Sequence, residues 1–462
     1  MTTLTNDTTV AAGAAEQPAA SGLAGATGTL LRLATAGSVD DGKSTLVGRL
    51  LYDSKAVLAD QLDAVERVSR AKGLGHVDLA LLTDGLRAER EQGITIDVAY
   101  RYFATGNRTF ILADCPGHVQ YTRNTVTGSS TADVLVLLVD IRKGVLEQTR
   151  RHLAVGQLLR VPTIIVAVNK IDLVDYDEAT YERVAAEIAG VAADLGVPNL
   201  VTLPTSALVG NNIVDRSERM GWYDGPSLLE LLEAAPAASE ITELPFRFPV
   251  QLALRPQDAA PEFRDYRGYA GQVATGVVAV GDEVVVLPAG RRTRVSGIDT
   301  HDGPLDEAFA PQSVTIRLAD EIDITRGDLI AAAADAPEPT QDLDGMVAWL
   351  AERGLRVGQK VLVKHGTRTV QGIVRDIHGR LDLDTLTPQA TETLELNDIG
   401  RIRLRLAAPI AADDYTRSRR TGSFLVIDPQ SGGTLAAGMV RGETSFSDAA
   451  TIEPDQTLTW VI

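Results

Sequence analysis

A single cysteine, Cys115, occurs in the 462 residues of this chain. That excludes an intrachain disulfide and a cysteine-built zinc site, and it suits a reducing cytoplasm. No run of about 18 uncharged apolar residues occurs, which excludes a transmembrane helix. Basic residues are absent before Arg32, while Asp7 and Glu16 lie within that stretch. A secretory signal needs a basic start and an apolar block, and a mitochondrial presequence needs arginines, so neither reading holds. The Ala, Gly, Thr and Ser of residues 1–29 read as a flexible tail. Positive charge is also in deficit: 44 Lys+Arg stand against 62 Asp+Glu, a net charge of −18. This balance disfavours a nonspecific grip on nucleic acid or an anionic membrane, although a small specific patch on an acidic protein can still bind RNA. The expectation is a cytoplasmic protein with no nucleic-acid and no membrane partner.

What is present is the balance of an ordinary soluble protein, 44% hydrophobic and 23% charged residues, and at roughly 150 residues per domain its length suggests about three domains. From Leu30 onward, apolar runs alternate with helix-like stretches. LLRLATAG (30–37), TFILAD (109–114), VLVLLVD (134–140), TIIVAVN (163–169) and VTLPTS (201–206) read as buried strands. STLVGRLLYDSKAVLADQLDAVERV and QTRRHLAVGQLLR read as helices between them. Such alternation predicts a mostly parallel sheet with helices on both faces. After AAPAASEITELP, a linker by composition, short β runs punctuated by Gly and Pro predict a barrel, and AAAADAPEPTQD (331–342) reads as a second linker before another. The expected architecture is an α/β domain over 30–238 followed by two all-β barrels over 244–333 and 343–462.

Directly after the first strand, Gly37-Ser38-Val39-Asp40-Asp41-Gly42-Lys43-Ser44, with Thr45 following, matches G-x-x-x-x-G-K-[ST]. Its glycines let the backbone wrap around phosphate oxygens at the positive end of the next helix. Lys43 then reaches the β and γ phosphates and Ser44 joins Mg²⁺. The bland alternative is a Gly-rich turn, which the strand before and the helix after disfavour. ATP and GTP both use this loop, and Asn169-Lys170-Ile171-Asp172 after TIIVAVN discriminates between them. The Asp172 carboxylate can accept two hydrogen bonds from guanine N1–H and its exocyclic amine, whereas adenine would leave it unpaired. Asn169 is expected to hold the other base edge and Lys170 to brace the phosphate loop. Thr205-Ser206-Ala207-Leu208 would supply a base-edge loop, with the Ala207 N–H on guanine O6; alone it is only a polar turn.

Two further segments read as γ-phosphate sensors. In Asp114-Cys115-Pro116-Gly117-His118, Asp114 would hold Mg²⁺ through water, the Gly117 N–H would bond the γ phosphate, and His118 would orient the attacking water. A lone histidine is more often a surface or satisfied core residue, but the flanking Asp-Cys-Pro-Gly changes that reading. Cys115 is expected to be a small buried filler. Upstream, Glu89-Arg90-Glu91-Gln92-Gly93-Ile94-Thr95-Ile96 reads either as a first switch, with the Thr95 hydroxyl completing the Mg²⁺ shell, or as a charged helix end running into a strand. Val39 and Ile94 are expected to form an apolar gate between His118 and the water.

The ordered set of motifs resembles the translational-factor GTPases, which carry two β-barrels after the GTPase domain. Within them, GSVDDGKSTLVGRLLYDSK, DCPGHVQYTRNTVTGSSTAD, NNIVDRSERMGWYDGPSLLE, DYRGYAGQVATG and TGSFLVID look like the large subunit of bacterial sulfate adenylyltransferases, over a span from about Leu30 to the C-terminus. Ser38 and Asp41 in the loop, and Val119 to Asn124 after His118, depart from elongation-factor wording. Val119 and Thr125 depart from the subunit's usual Glu and Met. The resemblance implies GTP and Mg²⁺ as ligands and a heterodimer or higher hetero-oligomer. In it a small subunit binds ATP and sulfate and transfers the adenylyl group, and GTP hydrolysis on this chain drives that transfer. The expected form is the unfused one, without a kinase domain. The alternative is an elongation-factor-like GTPase that delivers aminoacyl-tRNA.

Overall fold

A computed structural model of the chain describes residues 29–55, 57, 59–71, 77–82, 97–118, 121–236, 239–256 and 265–441. Segment 89–96, with Ile94 and Thr95, lies outside the described residues, as do Val119, the tail before residue 29 and everything after 441. The apolar runs become strands β1 (Leu30–Gly37), β2 (Ala99–Ala104), β3 (Thr109–Asp114), β4 (Val134–Asp140), β5 (Thr163–Asn169) and β6 (Leu200–Pro204), arranged in the order β2-β3-β1-β4-β5-β6. All seven residues of central β4 are buried, as expected of a strand covered on both faces. β1 and β3 to β6 run parallel, whereas β2 pairs antiparallel with β3 at the sheet edge. β2 is illegible as a buried run because Tyr100 and Tyr102 are exposed. A short turn closed by Thr105 N–H on the Arg108 carbonyl joins it to β3 as a hairpin.

The segment read as one helix from Ser44 to Val68 is two, α1 (Lys43–Asp53) and α2 (Ala59–Ala71). The Ser54 hydroxyl takes the Leu50 carbonyl and Lys55 turns left-handed with φ 57°, which ends α1. The last β run is likewise displaced, ending at Pro204, so Thr205 and Ser206 lie in the following turn. α1 packs Leu46, Val47 and Leu50 against Leu33, Phe110 and Leu138 on one sheet face. The helix Glu147–Leu158 packs Leu153, Val155 and Leu158 against Ala36, Leu135 and Leu137 on the other.

Two antiparallel barrels follow. The first runs Glu283–Leu287, Leu329–Ala332, Arg247–Leu254, Gly268–Gln272, Ser313–Leu318, Arg291–Thr300 and closes by pairing its first and last strands. The second runs Lys360–His365, Ser423–Ile427, Thr434–Val440, Pro339–Trp349, Ile399–Ala411, Arg368–Leu381 and closes the same way. Half of the 331–342 segment is therefore strand, leaving residues 333–338 between elements. Its polar, half-exposed Pro339–Asp342 start resembles a linker in composition while already pairing with the Ile399–Ala411 strand.

The domains are fixed to one another. Met346, Ala348, Leu350, Ile399 and Met439 of the second barrel join the GTPase-domain core, and the Tyr415 hydroxyl donates to the Leu159 carbonyl at 3.0 Å. Between the barrels, buried Arg247 donates from Nε and Nη2 to Asp413 at 3.0 and 2.9 Å, a bidentate geometry that fixes orientation.

Candidate functional site

The carboxyl ends of the parallel strands place the motif residues along one rim of the sheet, where ligands of open α/β sheets bind. In register, Thr35 lies beside Asp114, Asp140 beside Asn169, and Val168 beside Pro204. At the end of β1 the chain enters the phosphate loop through Asp40 (φ 66°) and Gly42 (φ 99°), and α1 starts at Lys43. A Cβ on Gly42 would stand 2.5 Å from Asn169 Nδ2, and one on Gly117 would strike Lys43 Nζ and lie 2.5 Å from the Gly37 carbonyl oxygen. Both glycines are therefore required by close approach, and Gly42 by its positive φ as well. Lys43 is buried, with Nζ donating to the carbonyls of Gly37 and Ser38 at 2.7 and 2.9 Å. Burial pushes its ammonium below the usual lysine range, against the opposing pull of Asp41 and Asp114.

The loop is closed from beneath by Asp41, whose Oδ2 accepts the Ser38 N–H at 2.7 Å. Burial raises the Asp41 carboxyl above the ordinary range, with the Ser38 N–H, Lys43 and Lys143 working the other way. Lys143 Nζ lies 3.7 Å from Asp41 Oδ1 and donates to the Val39 carbonyl at 3.4 Å. Val39 is half-buried, but its proposed gate partner Ile94 lies outside the described residues. Ser44 and Thr45 follow in the first turn of α1, half-buried and without hydrogen-bonded side-chain partners among the described residues.

Asn169 ties three segments together. Its Nδ2 donates to the Asp41 carbonyl at 2.8 Å, and its Oδ1 accepts the Ala207 N–H at 2.9 Å and the Thr205 hydroxyl at 3.5 Å. The Ala207 N–H, expected on the base, is thus committed to Asn169. Lys170 donates to the Asp40 carbonyl and sits 3.0 Å from the Asp140 carboxylate. Burial alone would raise the Asp140 carboxyl; hydrogen bonds from Arg142 and Lys170 outweigh it and hold the group well below the usual carboxylate range. Ile171 is fully buried and anchors the turn. Asp172 is half-buried and its carboxylate makes no hydrogen bond among the described residues. Ser206 is buried, with its hydroxyl accepting the Val209 N–H at 3.3 Å, while Leu208 is exposed.

On the γ-phosphate side, Asp114 is buried and accepts the Thr35 hydroxyl at 2.9 Å. Cys115 is fully buried, and burial drives its thiol pKa strongly upward, which fits a packing role beside Gly128. Pro116 and Gly117 are buried; His118 is half-buried with its ring centroid 6.1 Å from that of Tyr121. Among the described residues no three His, Cys, Asp or Glu side chains converge. The donor set on offer, a Ser44 hydroxyl and one Asp114 carboxylate, suits Mg²⁺, which keeps waters and takes phosphate oxygens instead of a full protein cage. A cradle without room for Cβ atoms, a buried ammonium and an unpaired carboxylate together fit a guanine nucleotide.

Residues 29–239 match the family described as Elongation factor Tu GTP binding domain, and residues 342–441 match GTP-eEF1A C-terminal domain-like. The chain is 53% identical to "Bifunctional enzyme CysN/CysC" of Mycobacterium tuberculosis over 90% of its own length and 68% of that protein's. It is 48% identical to "Sulfate adenylyltransferase subunit 1" of Cellvibrio japonicus over 89% of this chain and 86% of that one. With the protein of the same name from Bacteroides fragilis it shares 47% over 91% and 87%. The chain belongs to the sulfate adenylyltransferase subunit 1 family.

Within this subunit 1 fold, the motifs alone do not reveal Thr35, Asp140, Lys143 and His152. Asp140 carries a legible signal, a carboxylate closing the apolar run VLVLLVD at the sheet rim. His152 has none: it lies inside the amphipathic helix Glu147–Leu158, is fully buried, and its Nε2 is 3.2 Å from Gln148 Nε2. Burial first, then Lys43 and Arg151, lowers its pKa to about 3, so it stays neutral beside the phosphate loop.

Proposed function

We propose that this chain is the GTP-hydrolysing subunit of a heteromeric sulfate adenylyltransferase. GTP turnover here drives formation of adenosine 5'-phosphosulfate and diphosphate from ATP and sulfate on a small partner subunit, the first step of sulfate assimilation. What supports the reading is a phosphate loop tied through Asn169 to the turn that carries Asp172, whose carboxylate makes no hydrogen bond among the described residues. The sequence contains one such loop, so ATP and sulfate fall to the partner. Joining sulfate to AMP is uphill, and a GTPase coupled to it supplies the missing driving force.

In this reading Lys43 pairs with the β and γ phosphates, Ser44 and Asp114 hold Mg²⁺, and Lys170 keeps the loop braced through Asp40. An ion held there would neutralise charge on the phosphate oxygens. Water, oriented by His118, attacks the γ phosphorus; the bond to the bridging oxygen breaks, releasing GDP and phosphate. Thr95 and the Val39–Ile94 gate complete the scheme.

The test is GTP hydrolysis measured with and without a candidate small subunit, ATP and sulfate. Turnover that rises only when all three are present is the expected result. The elongation-factor names of the matching domain families favour a second reading, delivery of aminoacyl-tRNA. Co-purification of tRNA together with turnover indifferent to sulfate would replace the first reading by the second.

A further inference from the structure

Arg49 lies on α1, six residues beyond Lys43, and its guanidinium reaches across to the turn that follows β6. Nε donates to the Ala207 carbonyl at 3.3 Å and Nη2 to the Leu208 carbonyl at 2.7 Å. The fork is itself held in place: Nη1 lies 3.6 Å from Asp53 Oδ1 one turn on, and the guanidinium sits 5.8 Å from the Tyr52 ring centroid. Arginine presents a rigid array of donors, so two successive carbonyls on one guanidinium fix the orientation of two peptide planes.

The consequence falls on one backbone donor. From Ser206 to Gly210, the N–H groups of Ser206, Ala207, Val209 and Gly210 go to the Asn211 carbonyl, Asn169 Oδ1, Ser206 Oγ and the Ser206 carbonyl. Among the described residues only the Leu208 N–H has no acceptor in this turn. In a trans peptide the C=O and the following N–H point in opposite directions. Holding the Ala207 carbonyl on Arg49 therefore turns the Leu208 N–H away from Arg49, as a free donor next to Asn169 and Ala207.

We propose that Arg49 is a positioning residue for guanine recognition, fixing the Ala207–Leu208 peptide so that the Leu208 N–H meets O6 of the base. The inference rests on the guanine-nucleotide reading above and deepens it. It makes one side chain the link between the phosphate helix and the base-edge turn, so the two ends of the nucleotide are read in a fixed relation.

The experiment measures equilibrium binding of GTP, 6-thio-GTP and ITP to the full chain and to Arg49→Met, which keeps an apolar stem and loses the fork. 6-Thio-GTP replaces the O6 acceptor by a poor one and keeps N1–H and the amine; ITP keeps O6 and loses the amine. GTP affinity is expected to fall about five- to tenfold, the scale of one well-placed hydrogen bond, with 6-thio-GTP affinity changing less than about twofold. The preference for GTP over 6-thio-GTP then collapses while the preference over ITP, which reports on Asp172, is kept. Equal losses for GTP and 6-thio-GTP, or no loss, would overturn the role of Arg49. Arg49→Lys, which keeps the charge without the fork, carries the same test if the methionine variant does not fold. A wild-type chain indifferent among the three nucleotides would instead overturn the guanine reading, and this inference with it.

Discussion

Replacing Asn169 by alanine removes the knot of the candidate site without touching any phosphate contact. The side chain is buried and makes two hydrogen bonds of good length, 2.8 Å to the Asp41 carbonyl and 2.9 Å from the Ala207 N–H, plus a longer one from the Thr205 hydroxyl. Its loss leaves a peptide carbonyl and a peptide N–H without partners. At about 1–3 kcal/mol for each buried group left unsatisfied, the cost is about 3 kcal/mol, since water from the pocket mouth can restore part of it. For a domain of this size each kcal/mol moves Tm by roughly 2–4 °C, so thermal unfolding of the nucleotide-free chain should start about 6–12 °C lower. GTP affinity falls in the same variant because the phosphate loop and the base-edge turn are no longer held in register. Differential scanning calorimetry paired with fluorescent-GTP titration measures both effects. An unchanged transition with unchanged affinity would refute the reasoning, because it would mean that these contacts do not hold the three loops together.

Three other outcomes follow from the same geometry. Asp172→Asn should shift preference from GTP to XTP with little change in stability, since the Asp172 carboxylate makes no hydrogen bond among the described residues; retained GTP selectivity in competition binding would contradict its role. His118→Ala should bind GTP normally and hydrolyse it about 10²–10⁴-fold more slowly in single-turnover assays, the usual range for losing a group that positions or activates the nucleophile. His152, with its pKa lowered to about 3 by burial, binds its proton only after unfolding over the interval between there and its ordinary value near 6.5. Stability should therefore fall as pH drops below about 6.5, by up to about 1.4 kcal/mol per unit from this group. His152→Gln should flatten that dependence in denaturation curves taken between pH 7 and 5; an unchanged slope would remove the histidine from the account.

Residue pattern alone goes far here because the site is built from contiguous strings. Gly37–Ser44, Asp114–His118 and Asn169–Asp172 each end a buried apolar run, and a parallel sheet brings the ends of such runs to one rim regardless of what lies between them. The same periodicity conceals α2, since the break at Ser54 and Lys55 depends on a hydroxyl competing for one carbonyl. It conceals β2 because an edge strand with exposed tyrosines alternates instead of running apolar. The start of the second barrel is concealed because Pro339–Asp342 is polar on an outer strand end.

The amino-acid sequence by itself determined the α/β domain with two barrels, the phosphate loop and the Asn169–Asp172 tetrapeptide, because these depend on local periodicity and on residues adjacent in the chain. Only the tertiary structure decided who holds whom: Asn169 on Asp41 and Ala207, Lys170 on Asp40 and Asp140, Arg49 on the base-edge turn, and Arg247 on Asp413 between the barrels. Those partners lie far apart in the chain, and hydrogen bonding is short-ranged and directional. No pattern along one dimension encodes which donor finally meets which acceptor.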